Sequence, residues 1–270
     1  MDTMMLIGYV SAIFIGLSLG LIGGGGSILT VPVLVYLFQV DEITATAYSL
    51  FVVGVASLVG SVTYFRKGLI HLPTAILFGI PALLAVWVTR RFLLPALPEE
   101  LVQWEGGALT KSAAVMILFA LLMVAASVSM IRKRKTPKSA DATSWSVSKY
   151  ALVLLEGTVV GVLTGLVGAG GGFLIIPALV ILSGLPMKQA VGTSLLIIAT
   201  KSLTGFLLGD VFTLTIDWGF LAGVSAIAVV GIFIGSALSN RIEGAKLKPA
   251  FGWFVLVTGV YVLGRSLIEV

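Results

Sequence analysis

Long apolar runs separated by short polar connections make up nearly the whole chain. Eight of ten apolar segments have 18 or more residues, enough to cross a hydrocarbon core of about 30 Å as helices. The other two, 28–38 and 173–184, cover only about 17–18 Å as helices, too little to span. The pattern predicts an all-α polytopic membrane protein. The ten segments are 4–22, 28–38, 45–65, 73–94, 109–131, 150–167, 173–184, 190–209, 218–239 and 250–268.

Each half-length segment follows a glycine-rich run. Residues 20–32 read GLIGGGGSILTVP, and residues 165–177 read GLVGAGGGFLIIP. A shift of 145 residues aligns 16–60 with 161–205 without a gap, and 17 of the 45 pairs are identical, including glycines, prolines and serines. This register indicates an internal duplication.

The duplication divides the chain into two membrane repeats. The N-terminal repeat is predicted over 1–131 and the C-terminal repeat over 150–270, with a basic cytoplasmic linker at 132–149. Each repeat begins with a glycine-broken helix and half-helix, and three transmembrane helices follow.

Composition supports a membrane protein and removes several kinds of chemistry. The chain is 58% hydrophobic and only 11% charged, with a mean hydropathy of +1.13, whereas soluble domains carry about 25% charged residues. Cysteine is absent, which excludes disulfides and thiolate sites. The glycine runs lack the GK[ST] ending of a P-loop, so no ATP-driven step is expected. We expect no metal site and no cofactor, and a chain that is not an enzyme.

The distribution of charge predicts the orientation. Six of the 17 lysines and arginines lie in the linker, three in 240–249, and two are Arg66 and Lys67, whereas the intervening loops 95–108 and 210–217 are acidic. Under the positive-inside rule the basic loops are cytoplasmic, and the two repeats then lie upside down relative to each other. Arg90 and Arg91 depart from the rule. The cations lie in membrane loops, which indicates no nucleic-acid partner.

Inverted repeats with broken helices are typical of secondary transporters, whose substrate sites lie near the bilayer midplane. Successive glycine amides beside a helix N-terminus can hold an anion. The alternative is that the glycines only allow close helix packing. We predict that these runs bind substrate, through the residues Gly23, Gly24, Gly25, Gly26, Ser27, Gly168, Gly170, Gly171 and Gly172.

Lys201 lies 11 residues after Ala190, about 16 Å into its helix. A cation at that depth is costly, so we predict that Lys201 is the counter-charge of an anionic substrate. The alternatives are a structural ion pair with Glu156 and extension to a membrane interface. The repeat equivalent of Lys201 is Ala56, so a cationic site would be asymmetric.

Hydroxyl groups and one carboxylate complete the predicted site. Ser49 and Ser194 occupy equivalent positions and either cap their helices or donate to an anion. Tyr48 and Thr193 precede them and add possible donors. Glu156 is the clear intramembrane carboxylate and the candidate for proton coupling.

The paired motifs LIGGGGSILTVPVLV and LVGAGGGFLIIPALV, followed by helices that open with ATAYSL and AVGTSL, resemble the TauE/SafE sulfite exporter family, also called the 4-toluene sulfonate uptake permease family. YFRKGLIHL at 64–72 and GIFIGSALSNRI at 231–242 also fit its pattern. The resemblance implies a multi-pass transporter of a bacterial-type inner membrane, with small sulfur-containing anions as substrates and lipid around it. Sulfite, sulfoacetate and other sulfonates are the candidates, and the glycine runs are the positions that the resemblance transfers.

Two other functions remain open at this point. An anion channel can be built on the same inverted scaffold. The chain can also serve a partner through the basic stretch RKRKTPK of the linker, although a solvated topology anchor explains that stretch more simply. The substrate, the direction of transport, the coupling ion and the oligomeric state do not follow from the residues.

Overall fold

The structure is a computed structural model that describes residues 3–24, 26–104, 107–131, 147–168, 171–181, 184–239 and 244–268. Most of the predicted linker, residues 132–146, therefore lies outside the described residues. The described part is mostly helical. Its helices are α1 (Thr3–Ile22), α2 (Ser27–Tyr36), α3 (Glu42–Arg66), α4 (Leu72–Val88), α5 (Leu94–Ala96), α6 (Lys111–Ile131), α7 (Val147–Val167), α8 (Gly172–Ile181), α9 (Met187–Leu208), α10 (Trp218–Leu238) and α11 (Gly244–Ile268).

Within the described residues, five helical stretches are long and apolar enough to cross a membrane. They are Met4–Ile22, Glu42–Arg66, Leu72–Ala96, Met187–Phe212 and Trp218–Leu238. The third continues α4 through a π-helical turn, Thr89–Leu93, and the fourth continues α9 through a 3-10 turn, Asp210–Phe212. The helices after the glycine runs, α2 and α8, have ten residues each, about 15 Å. The predicted half-length helices are confirmed.

Polar side chains mark where several of these helices begin. The Asp41 carboxylate accepts a hydrogen bond from the Thr44 N–H at 3.1 Å, and α3 begins at Glu42. Because α3 begins at Glu42 and α9 at Met187, Ser49 and Ser194 each lie seven residues inside their helices. The prediction that these serines cap helices is wrong.

The segment predicted as a loop between 95 and 108 contains a β-hairpin, so the chain is not entirely α-helical. Strand β1 (Glu100–Trp104) pairs antiparallel with β2 (Gly107–Thr110), and Val102 lies opposite Leu109. The pairing is irregular between Glu100 and Val102, and the sequence ELVQW of β1 correspondingly lacks a strict alternation of polar and apolar residues. The Lys111 ammonium pairs with the Glu99 carboxylate at 2.6 Å beside the hairpin.

Two parallel helix pairs flank the bundle. Helix α1 packs along α10, with Gly16 and Gly20 against the Ile232 backbone, and α7 packs along α4, with Gly161 against Ala82. A Cβ on these glycines would overlap the neighbouring backbone. Small residues of this kind let membrane helices approach closely, because association there depends on packing rather than on exclusion of water.

Helices α3 and α9 cross the centre of the bundle side by side. Gly54 lies against Leu203 and Gly60 against Leu195, so the two helices run antiparallel. Helix α4 packs on α9 and α10 packs on α3, while α6 packs on α11. The central helices carry the core, and many large apolar side chains of the flanking helices face outwards, as expected for contact with lipid.

The two ends of the bundle are distinguished here by one residue each. At the Tyr64 end, α3 finishes, α4 begins and the start of α9 lies close by, because Gly192 contacts Tyr64. At the Arg90 end, α9 finishes beside the π-helical turn that follows α4, because Gly209 contacts Arg90.

Candidate functional site

The first glycine of each break ends a helix. Gly23 and Gly168 are repeat equivalents, and both have the left-handed backbone that favours glycine, with φ of 81° and 72°. The Gly23 N–H donates to the Leu19 carbonyl at 2.7 Å, and the Gly168 N–H donates to the Thr164 carbonyl at 2.9 Å. These two glycines therefore act as C-terminal caps of α1 and α7.

The two breaks meet in the middle of the structure. Gly24 lies against Gly172, and a Cβ added to either would overlap the backbone of the other. Gly25 and Gly170 lie outside the described residues. Close packing is thus part of the role of these runs, and it also brings the start of α2 and the start of α8 to one place.

Backbone donors are available at this meeting point. Among the described residues, the N–H groups of Gly24, Gly26 and Gly172 have no hydrogen-bond acceptor. The Ser27 hydroxyl donates to the Gly24 carbonyl at 2.8 Å, so this side chain serves the backbone. Free amides at the N-termini of two helices give the site a positive potential that suits an anion.

Lys201 lies beside the second break and is fully buried, at 0% exposure. Its Nζ donates to the Thr164 hydroxyl at 3.0 Å, and a Cβ on Gly171 would come within 2.8 Å of that Nζ. Full burial excludes the alternative in which Lys201 extends to an interface.

The alternative pairing of Lys201 with Glu156 is also wrong. Glu156 lies eight residues before Thr164 on α7, about 12 Å along the helix. In the described part of the chain Lys201 forms no ion pair. Lys201 is buried inside its helix, and its contacts are a hydroxyl and a glycine rather than a carboxylate.

The buried serines differ in how they are used. Ser194 contacts the first break, because its hydroxyl donates to the Val191 carbonyl at 2.8 Å and lies 3.4 Å from the Gly23 carbonyl. The hydroxyls of Ser49, Ser57 and Ser202 are buried and have no partner among the residues described. Buried hydroxyls of this kind are rare, since most find a partner in protein or water.

The hydroxyls of Tyr48 and Thr193 form hydrogen bonds at the starts of neighbouring helices rather than with Lys201. The Tyr48 hydroxyl accepts a hydrogen bond from the Asp217 N–H at 2.8 Å, at the start of α10. The Thr193 hydroxyl accepts one from the His71 N–H at 2.9 Å, at the start of α4. These equivalent residues thus join each central helix to the flanking helix beside it.

Sequence reasoning missed a buried ion pair at the Arg90 end. The Arg90 Nη1 lies 3.3 Å from the Asp210 Oδ1, and the residues are 1% and 3% exposed. A signal for this pair was present in the sequence. Arg90 violates the positive-inside rule at the end of its helix, on the same predicted side of the membrane as the acidic loop that contains Asp210. Opposite charges that are both out of place at one end of a membrane bundle indicate a pair.

An apolar groove of about 630 Å³ lies elsewhere, between α1, α2 and α11. Its lining includes Phe14, Leu29 and Tyr261, and among the described residues that line it none is charged. It contains neither Lys201 nor a residue of either glycine break, so it is not where an anion would bind.

Comparison with known proteins agrees with the membrane architecture. The family described as sulfite exporter TauE/SafE matches residues 9–262. The chain belongs to this family. Members of the family are membrane transporters rather than enzymes, and the chain is a multi-pass membrane protein.

Curated relatives cover most of the chain. A "probable membrane transporter protein" of Xylella fastidiosa (strain Temecula1) is 28% identical over 258 residues, covering 93% of this chain and 92% of the relative. The "probable membrane transporter protein YdhB" of Bacillus subtilis is 24% identical over 249 residues, covering 92% and 96%. No solved structure matches the chain significantly.

Proposed function

We propose that the protein is a secondary transporter of sulfur-containing oxyanions, sulfite or an organosulfonate, and that it works by alternating access. The observation that carries the proposal is the fully buried Lys201 beside the point where the two glycine breaks meet. A cation held in a membrane protein without a carboxylate partner is expected to serve an anionic ligand. The resemblance to a family of sulfite exporters gives the class of anion.

The proposal includes an inverted arrangement of the two repeats. Helices α3 and α9 are repeat equivalents, and their antiparallel packing supports it. Exchanging every helix for its equivalent converts the α1–α10 pair into the α7–α4 pair and leaves the α3–α9 and α6–α11 pairs unchanged. Such an exchange is what a two-fold axis in the membrane plane would produce.

The chemistry of the site fits a sulfonate or sulfite. Three oxygens share the negative charge, and each can accept more than one hydrogen bond. The Lys201 ammonium and free amides of Gly24 and Gly172 are suitable donors, and charge-assisted bonds to such oxygens are strong. The contact between Gly24 and Gly172 must open for an anion to bind between them, which is consistent with an occluded carrier.

The test is a binding titration of the purified protein by thermal stabilisation and calorimetry. Sulfite, sulfoacetate, taurine, sulfate and acetate are compared, with Lys201→Met as the uncharged variant and Lys188→Met as the matched control at an exposed position of the same helix. We expect a saturable binding event for sulfite or a sulfonate that Lys201→Met removes and Lys188→Met leaves unchanged.

The other outcomes are informative. A binding profile that Lys201→Met leaves unchanged would transfer recognition to the glycine amides. An absence of binding to all five anions would contradict the substrate class. A current through lipid bilayers that fails to saturate with anion concentration would favour the channel alternative over a carrier.

Proton coupling through Glu156 is part of the proposal. Glu156 is partly exposed on α7, on the helix that carries the hydroxyl partner of Lys201. We expect Glu156→Gln to abolish uptake driven by a pH gradient and to preserve exchange of anion at equal pH. Uptake that still follows the pH gradient in this variant would contradict a role of Glu156 in proton coupling.

A further inference from the structure

We propose that Arg90 forms a second oxyanion-binding site, at the Arg90 end of the bundle, through the Nε–Nη2 edge of its guanidinium group. The site would hold a small anion with two adjacent oxygens, such as sulfite or a sulfonate, before or after it reaches Lys201. This inference rests on the proposed function and adds a second anion-binding site to it.

The hydrogen bonds of Arg90 are distributed unevenly around its guanidinium group. Nη1 is occupied by the Asp210 Oδ1 at 3.3 Å, while Nε and Nη2 are buried and have no acceptor among the described residues. Nε and Nη2 carry parallel N–H bonds on one edge of the planar group, and that edge matches two oxygens of one oxyanion.

Asp210 does not complete the pair. It contacts Arg90 through one oxygen only, and its Oδ2 is also buried without a partner in the described part of the structure. A carboxylate whose role was to neutralise Arg90 would be expected in a bidentate arrangement on the Nε–Nη2 edge. The observed contact instead holds the guanidinium group by its far corner and leaves the recognition edge free.

The surroundings of the pair connect it to the central site. Asp210 lies nine residues after Lys201, about 13 Å along α9. Between them Gly205 lies against Val86 and Gly209 against Arg90. On α7, Thr164 contacts Lys201 while its neighbour Gly165 contacts Thr89. Helices α7 and α9 and the π-helical turn after α4 therefore lie beside both cations.

Burial makes this arrangement different from a surface ion pair. At 1% exposure, the free Arg90 N–H groups are removed from water in the structure described, and buried donors normally have partners. The neighbouring Arg91 offers a contrast within one residue, since it is exposed and its guanidinium lies 5.6 Å from the centre of the Phe212 ring.

The test is sulfite binding to the full-length protein in detergent, measured by calorimetry, with Arg90→Lys and the control Arg91→Lys. Lysine keeps the positive charge beside Asp210 but lacks the two-donor edge. We expect a second sulfite-binding event that persists in Lys201→Met, and we expect Arg90→Lys to raise the Kd of this event at least about tenfold, the effect of losing one charge-assisted hydrogen bond. We expect Arg91→Lys to leave the Kd unchanged.

Asp210→Asn supplies a test that keeps Arg90 in place. The amide oxygen can still accept from Nη1, but the competing negative charge is gone. We expect tighter sulfite binding if the Arg90 edge holds the anion, and an unchanged Kd if Arg90 only pairs with Asp210.

The outcomes separate this inference from the proposed function. Unchanged sulfite affinity in both Arg90→Lys and Asp210→Asn, with binding still lost in Lys201→Met, would overturn the second site alone. A wild-type protein that binds none of the five anions would overturn both proposals. If Arg90→Lys fails to fold, the Asp210→Asn result decides.

Discussion

The two ends of the bundle close in chemically different ways. At the Tyr64 end the Tyr64 hydroxyl lies 3.2 Å from the Gly20 carbonyl and 3.4 Å from the Ser239 hydroxyl, and all three groups are neutral. At the Arg90 end the equivalent helices α7, α9 and α4 meet, and a buried ion pair joins two of them. The two ends therefore differ in chemistry: neutral hydrogen bonds at the Tyr64 end and a buried ion pair at the Arg90 end.

The same asymmetry appears at the centre. Lys201 in the second repeat stands where the first repeat has Ala56, and both positions are fully buried. The hydroxyl partner of Lys201, Thr164, is matched by Leu19 in the first repeat. The following variants break or sharpen this comparison, beginning with the largest expected effect.

Removing the Asp210 carboxylate from the buried ion pair is expected to have the largest effect on stability. Asp210→Ala leaves Arg90 buried without a partner, which should lower the free energy of unfolding by about 3–5 kcal/mol. Denaturant unfolding in mild detergent measures the loss. The double variant Arg90→Met with Asp210→Leu should recover much of the stability, and a double variant as unstable as Asp210→Ala would show that the pair is not the cause.

Removing the charge of Lys201, which the equivalent position Ala56 lacks, should strongly weaken anion binding. Lys201→Met preserves the length of the side chain without its charge, and we expect a loss of sulfite affinity of about 100-fold or more, since a desolvated charge-assisted contact disappears. Calorimetry measures this loss. Stability should not fall, because a buried uncompensated cation is removed. An affinity within threefold of wild type would place recognition elsewhere.

The glycine caps test how alike the two breaks are. Gly23→Ala and Gly168→Ala each place a Cβ on a left-handed residue, at a cost of roughly 1–2 kcal/mol. The added Cβ also meets Val191 and Ser194 in the first break, and the backbone of Thr46 in the second. Since backbone yields less readily than a side chain, we expect Gly168→Ala to be the more destabilising, measured as the difference between the two unfolding free energies. A reversed order would contradict the close fit of Gly168 against α3.

Features that recur in the two halves of the sequence could be predicted from it, whereas the ion pair that occurs once could not. The glycine runs, the half-length helices and the depth of Lys201 follow from spacing that is visible in the chain. The Arg90–Asp210 pair joins residues 120 positions apart, and the sequence analysis placed Arg90 at the end of an apolar segment and Asp210 in a loop. The starts of α3 and α9 were predicted several residues late, because Glu42 and Lys188 are polar while the helix continues through them. An ion pair between residues of the two halves of the chain leaves no periodic pattern in the sequence. Its partners are therefore identified only from the three-dimensional structure.

Removing the neutral hydrogen bonds of Tyr64 is predicted to have the smallest effect on stability. Tyr64→Phe removes one hydroxyl whose two contacts are long, so we expect the free energy of unfolding to fall by less than about 1 kcal/mol, the usual worth of a neutral hydrogen bond. If the Tyr64 end opens during transport, the same variant should raise the rate of anion exchange modestly, because a closure that is weaker opens more often. Exchange of radiolabelled sulfite in proteoliposomes measures this, with Tyr9→Phe as the control because Tyr9 lies near the opposite end, packed edge-on against Phe38. An unchanged rate, together with an increase on weakening the Arg90–Asp210 pair, would mean that opening at the charged end limits transport.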